Sequence, residues 1–180
     1  MKYITPYNDD WPHRFQQIAR FLYDQLPNTC RIHHVGSTSI PGMPAKDIID
    51  LDIECPSGAM PSIIAILDEA GYVHEGDKGI PTRDAFCPKT GSSASKLPQH
   101  HLYACESQSP ELFKHLAFRE YLILHVQRAK WLAAQKIATD LTAKSRTLYI
   151  ENKSAAYAII TRESLSWANK ALGWRPILSQ

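Results

Sequence analysis

The sequence predicts an α/β (α+β) domain built as an N-terminal helix, a section of short strands broken by one helix, and a helical C-terminal section. Three observations predict it. Trp11, Phe15, Ile18, Phe21, Leu22 and Leu26 recur at helical spacing at the start of the chain. Between residues 30 and 106 the apolar residues instead fall in short alternating runs that stop at Gly or Pro. From Ser109-Pro110 the helical period returns and holds almost to Gly173. At 180 residues the chain has the length of one domain, with residues 1–108 as the α/β section and 109–180 as the helical one.

Each element has its own local signal. Asp10 ahead of Trp11-Pro12 reads as a helix N-cap with proline in the first turn, and Pro27 closes that helix. Cys30 to Val35 is a short strand ending at Gly36, and Asp47 to Cys55 is a second that stops at Pro56. Ile63, Ile64, Ile66 and Leu67 mark a helix over 59–70, with Gly71 as its C-terminal stop. Tyr72 to His74, Asp84 to Cys87 and His101 to Cys105 read as further strands. PKTGSSASKLP, from Pro88 to Pro98, is rich in Ser, Gly and Pro and reads as a mobile loop. Breaks near His125 and Ser145 divide the last third into about three helices.

Composition removes several classes of function. Lys+Arg of 20 against Asp+Glu of 18 leaves a net charge of +2, with no run of like charge. A surface that neutralises many phosphates at once needs more than that, so bulk nucleic-acid binding and anionic-membrane binding are disfavoured. The opening MKYITPYNDDWPH carries acids and prolines where a signal peptide needs an apolar segment. No later apolar run approaches the ~18 residues of a membrane span, and we expect a cytoplasmic protein. Cys30, Cys55, Cys87 and Cys105 form no C-x-x-C pair, so neither a zinc knuckle nor a dithiol redox motif is written here.

The chemistry concentrates in Asp47-Ile-Ile-Asp-Leu-Asp-Ile-Glu-Cys55. Strand alternation sends Asp50, Asp52 and Glu54 to one face and Ile49, Leu51, Ile53 and Cys55 to the other. Carboxylates two residues apart on a strand stand roughly 7 Å apart at the backbone, close enough to share a hard divalent cation. Alternation alone describes a strand with a solvated polar face at least as well. Ahead of it, His34-Val-Gly-Ser-Thr-Ser39 places Gly36, Ser37, Thr38 and Ser39 where backbone N–H groups and hydroxyls can meet a phosphate at a helix start. A turn with a capping serine is the bland alternative. It is not a Walker A loop, since Gly42 is followed by Met43 and Lys46 comes four residues after that glycine.

The pattern hydrophobic-Gly-Ser, a short spacer, then Asp-x-Asp on a strand resembles the signature of the nucleotidyltransferase superfamily. More closely, the chain is similar to the GrpB-like family within it. The matching blocks are YNDDWPHRF (7–15), HVGSTSIPGMPAKDIIDLD (34–52), GYVHEGDKGIPTR (71–83), HHLYAC (100–105), LAFREYL (116–122) and YIENK (149–153), which run nearly from one end of the chain to the other. The resemblance implies a nucleotidyltransferase-like mixed sheet with helices on one face. It further implies a nucleoside triphosphate held near Gly36 and Ser37, and divalent metal, Mg or Mn, held by Asp50 and Asp52. Lys46 and Arg83 fall in matching blocks and would meet substrate phosphate or carboxylate. Arg119 and Lys153 do too, although pairing with Glu120 or Glu151 accounts for them equally well.

One departure stands out. A third carboxylate on a neighbouring strand normally completes such a site, and here that strand offers His100 and His101. With Leu102 and Ala104 in the core, His101 and Tyr103 share the opposite face, which puts His101 near the carboxylates as ligand or base and leaves His100 structural. The expected activity is metal-dependent transfer of a nucleotidyl group from a nucleoside triphosphate to a small-molecule acceptor. The alternatives are a non-catalytic nucleotide- or phosphometabolite-binding module, a role suggested by fusion of GrpB-like domains to dephospho-CoA kinase in some relatives, and a metal-dependent phosphohydrolase using the same residues. A structure with Asp50 and Asp52 on opposite faces of the sheet, or buried in ion pairs, would defeat every metal reading.

Overall fold

The computed structural model describes residues 3–170, without the side chains at 146 and 149–153. The chain runs α1 (Trp11–Tyr23), β1 (Arg31–Val35), β2 (Ile49–Cys55), α2 (Met60–Glu69), β3 (Tyr72–His74), β4 (Arg83–Pro88), β5 (His100–Glu106), α3 (Pro110–Leu124), α4 (Val126–Thr142) and α5 (Arg146–Lys170). The five strands form one mixed sheet in the order β1-β2-β5-β4-β3, with β2 and β5 parallel and the other pairs antiparallel. This is the mixed α/β class expected, down to the breaks at His125 and Ser145 that separate the last three helices.

Register divides the sheet into two chemically distinct faces. Ile32 lies opposite Ile53, and Leu51 pairs with Leu102. These side chains meet Trp11, Phe15, Ile18 and Leu22 of α1 and Ile63 and Leu67 of α2 in the main core. On the other face Asp52 lies between His33 and Tyr103, and Asp50 between Val35 and His101. That face is partly roofed by α3, whose Leu112 and Leu116 pack on Val35 and Cys105. A second apolar cluster, Ile40, Met43, Phe118, Leu122, Leu132 and Ile160, joins the loop after β1 to the helical section. The helical section is thereby anchored beside the turn that follows β1.

Three local expectations need correction. The first helix ends at Tyr23, not at Leu26, although Leu26 stays buried and its N–H still donates to the Leu22 carbonyl. Apolar periodicity tracks burial, and burial outlasts the helix here. Asp10 caps α1 by position only, since its carboxylate makes no capping hydrogen bond and pairs instead with Arg14 at 2.7 Å. The segment 88–98 is anchored at its middle: Ala94 is fully buried in the main core and Ser92 Oγ donates to the Gly71 carbonyl at 3.0 Å, while most of its other residues are exposed or half-buried. A side chain at Gly71 would lie 2.6 Å from the Ser92 Cβ, so the absence of one lets this segment dock against the end of α2. It lies on the apolar side of the sheet, away from Asp50 and Asp52.

Candidate functional site

The carboxylates of β2 share one face, as alternation requires, but their surroundings differ. Asp50 is partly exposed, and the ring Nδ1–H of His101, its register partner on β5, donates to Asp50 Oδ1 at 2.8 Å. Asp52 is fully buried; His115 of α3 donates from Nδ1 to its Oδ2 at 2.7 Å, and its Oδ1 is sealed from solvent with no hydrogen-bond partner. Burial works to lower the His115 pKa, but the charge of Asp52 and the hydrogen bond to it outweigh that, and the net shift is upward. Glu54 turns away to buried His33, 2.8 Å from His33 Nε2. There burial dominates and pushes the imidazole pKa down, although Glu54 opposes it.

The turn after β1 is fitted to this strand by Gly36. Its φ is +71° and ψ is −166°, a region essentially reserved for glycine, and a Cβ there would stand 2.4 Å from Asp50 Oδ2. Ser37–Ser39 form a single 3-10 turn, not the start of a longer helix. So short a turn has little dipole to offer an anion, and attraction must come from side chains. Ser37 supplies one: its Oγ accepts from Lys136 Nζ at 2.8 Å and shares a 2.7 Å hydrogen bond with the Tyr157 hydroxyl. Lys136 on α4 is buried. Together with Thr38, Lys46, Asp50 and His101, these residues line a polar cleft of about 190 Å³.

The expected residues thus separate into two groups. Gly36, Ser37, Thr38, Lys46, Asp50 and His101 converge on the cleft or its wall, although the Thr38 hydroxyl is taken by His34 Nε2 at 3.0 Å. Ser39 closes its own turn by donating to the Gly36 carbonyl at 2.7 Å. Arg83, at the start of β4, lies on the same face across β5, with its guanidinium carbon 4.2 Å above the centre of the Tyr103 ring. His100 is structural, between the Tyr72 hydroxyl and the Pro98 carbonyl. Arg119 makes a buried pair with Glu120 at 2.7 Å and donates to the His34 carbonyl at 2.8 Å. The Lys153 and Glu151 side chains lie outside the described residues.

His115, Lys136 and Tyr157 are the participants that sequence reasoning missed. They sit on three different helices and carry no local motif; His115 and Lys136 were legible only as polar residues on otherwise core-forming helices.

Among the described residues, two hard oxygens on this face receive no hydrogen bond: Asp50 Oδ2 and Asp52 Oδ1. Carboxylate oxygens are the donor type that a hard divalent cation takes, commonly one or two of them with water and substrate phosphate completing its shell. A buried, unpartnered carboxylate oxygen costs about 1–3 kcal/mol or more, which a cation would offset. Among the described residues no group of three or more His, Cys, Asp or Glu side chains is arranged to hold a metal ion. Half of the arrangement that would defeat a metal is present: Asp52 is buried in a pair with His115, whereas Asp50 is partly exposed beside His101.

The chain is 37% identical over 135 residues to UPF0157 protein YqkA of Bacillus subtilis, a match covering 74% of this chain and 38% of YqkA. It is 25% identical over 199 residues to a dephospho-CoA kinase of Mycolicibacterium paratuberculosis, covering 96% of this chain and 48% of the kinase. The chain therefore spans well under two thirds of either relative. Among solved structures, the conserved protein GrpB from Enterococcus faecalis superposes with a TM-score of 0.74 at 26% identity, covering 91% of this chain and 97% of that one. The model of the GrpB protein family matches residues 3–163, and with nearly the whole chain inside that match, this protein belongs to the GrpB family.

Proposed function

We propose that the protein transfers a nucleotidyl group from a nucleoside triphosphate to the hydroxyl, phosphate or amine of a small-molecule acceptor in the cytoplasm, with a divalent cation, Mg or Mn, held by Asp50 and Asp52. The observation that supports this best is the pair of unclaimed oxygens, Asp50 Oδ2 and Asp52 Oδ1, beside a cleft lined by Ser37, Lys46 and Lys136. When bound, the cation would neutralise phosphate charge and align the reacting groups. The chain's own residues do the rest. Ser37, Lys46 and Lys136 bind the triphosphate, with Gly36 and Thr38 shaping the turn and Ser39 holding it closed. His101 keeps its Nδ1–H on Asp50, which leaves Nε2 to take a proton.

For a hydroxyl acceptor, its oxygen bonds to the α-phosphorus and the bond from that phosphorus to the β-phosphate oxygen breaks. Pyrophosphate leaves, and the hydroxyl proton passes to His101 Nε2. Arg83 would receive charge on the substrate from the far side of β5.

A second reading, a non-catalytic module that binds a nucleotide or phosphometabolite, draws on the complete burial of Asp52 against His115. Calorimetry with Mg2+ or Mn2+ and each nucleoside triphosphate, repeated on the Asp50→Asn/Asp52→Asn protein, separates the two. Metal-dependent nucleotide binding that the double variant loses, followed by turnover on a metabolite panel, supports transfer. Binding without turnover favours the module, and no nucleotide binding with any metal defeats the transferase.

A further inference from the structure

Arg83 is a charge with no counter-ion among the described residues. The residue is 9% exposed, its guanidinium makes no hydrogen bond or ion pair among the described residues, and its Nε is buried with no partner there. A guanidinium stays protonated at any pH a protein tolerates. Burying such a charge unpaired is unfavourable, and stacking on the Tyr103 ring offsets part of that cost. The Nη groups are the end left open, since only Nε is shut away from solvent.

The side chain is also placed with some effort. Thr82, immediately before it, has φ +67°, an uncommon and costly conformation for a β-branched residue. Ser109 holds that residue twice: its Oγ donates to the Thr82 carbonyl at 3.0 Å and stands 3.0 Å from Thr82 Oγ1.

Sheet order gives this position a meaning. The Ser37 turn leaves the end of β1, the carboxylates stand on β2, Tyr103 is on β5 in register with Asp52, and Arg83 is on β4. The cleft of Ser37, Lys46 and Lys136 and the Arg83–Tyr103 stack therefore flank Asp50 and Asp52 from opposite sides, and Arg83 is not among the residues lining that cleft. With strands about 4.8 Å apart, β4 lies roughly 10 Å from β2 across the sheet, a span that the Arg83 side chain leaning over Tyr103 and a molecule of a few carbons bridge together.

We propose that the Arg83 guanidinium, seated on the Tyr103 ring, receives an oxyanion group of the acceptor, carboxylate or phosphate, so that the molecule modified is a small anionic metabolite. This rests on the nucleotidyl-transfer reading of Asp50 and Asp52. It separates the two substrates by the cations that hold them: Lys136 and Lys46 for the triphosphate, Arg83 for the acceptor.

The test titrates orthophosphate and malonate in separate arms into the full chain and into the Arg83→Gln and Lys136→Gln proteins by calorimetry, with melting curves in anion-free buffer. At least one probe should lose tenfold or more in affinity in Arg83→Gln and stay within twofold in Lys136→Gln, and which probe it is tells carboxylate from phosphate. Arg83→Gln should melt at or above the wild-type temperature, because an uncompensated charge has been removed. The inference is overturned if both probes bind Arg83→Gln as they bind wild type, if only Lys136→Gln weakens them, or if Arg83→Gln melts lower by more than about 3 °C. Nucleotide binding with Mn2+ on the same samples keeps the two ideas apart. Its absence from wild type removes the transfer reading and the acceptor role together, whereas intact nucleotide binding beside an indifferent Arg83→Gln removes only the present one.

Discussion

Gly36 and Asp50 are in contact across the turn after β1: a Cβ at residue 36 would lie 2.4 Å from Asp50 Oδ2 and 3.0 Å from Asp50 Cβ. The backbone at Gly36 also has a φ and ψ that other residues scarcely adopt. Gly36→Ala is therefore expected to cost about 1–3 kcal/mol in urea unfolding and to displace the Asp50 carboxylate. Mn2+ affinity, read by electron paramagnetic resonance, should fall with it. Unchanged Mn2+ binding in a folded Gly36→Ala protein would show that Asp50 Oδ2 is not a ligand.

His115 positions Asp52 by occupying one of its two oxygens. Loss of such a partner typically weakens metal binding by about 10–100-fold. His115→Ala should show that loss, while His115→Asn, whose amide can donate from nearly the same place as Nδ1, should recover much of it. If both variants bind Mn2+ as wild type does while keeping their secondary structure by circular dichroism, His115 is only a packing residue.

These two contacts show what was and was not legible in the sequence. The alternation in Ile49–Cys55 reports the sheet's two faces, because a strand with one buried face has to alternate; Asp50, Asp52 and His101 follow from it. Helix boundaries in the last third were legible because Ser109-Pro110 and the breaks near His125 and Ser145 are local signals. His115, Lys136 and Tyr157 act through contacts 63, 99 and 120 residues distant along the chain, and no local pattern encodes which side chains a helix will bring to a strand. The anchoring of the 88–98 segment is hidden for a related reason. Ser and Gly there look like loop composition, but the small side chain of Ala94 fills the core and Ser92 docks on Gly71.

Lys136 brings a buried cation to Ser37 from α4. A hydrogen bond to a charged group is worth about 1.5–3 kcal/mol, or roughly 10–150-fold in affinity. Lys136→Met, close in volume, is expected to weaken nucleoside triphosphate binding within that range in calorimetry with Mg2+. Tyr157→Phe, which removes one neutral partner of the Ser37 hydroxyl, should cost less. Equal nucleotide affinity in wild type and a folded Lys136→Met would move the triphosphate out of this cleft.

Stability should peak close to neutral pH because buried histidines shift in opposite directions. Burial lowers the pKa of His33 and His100 and brings His34, which also feels the charge of Arg119, down to about 3. Each is neutral in the fold and titrates near 6.5 in the unfolded chain, so the unfolded state binds more protons as the pH drops below 6.5. Their contribution is complete above that value and is lost on acidification, by about 1.4 kcal/mol per pH unit per histidine until the folded pKa is passed. His115 has the reverse sign: its folded pKa is raised by Asp52, so its contribution is complete below 6.5 and is lost as the pH rises through the folded value. Urea midpoints measured from pH 4.5 to 8.5 should fall steeply on the acid side and more gently on the alkaline side. His34→Gln should flatten the acid limb, and an acid limb that His34→Gln leaves unaltered would mean that His34 does not stay neutral in the fold.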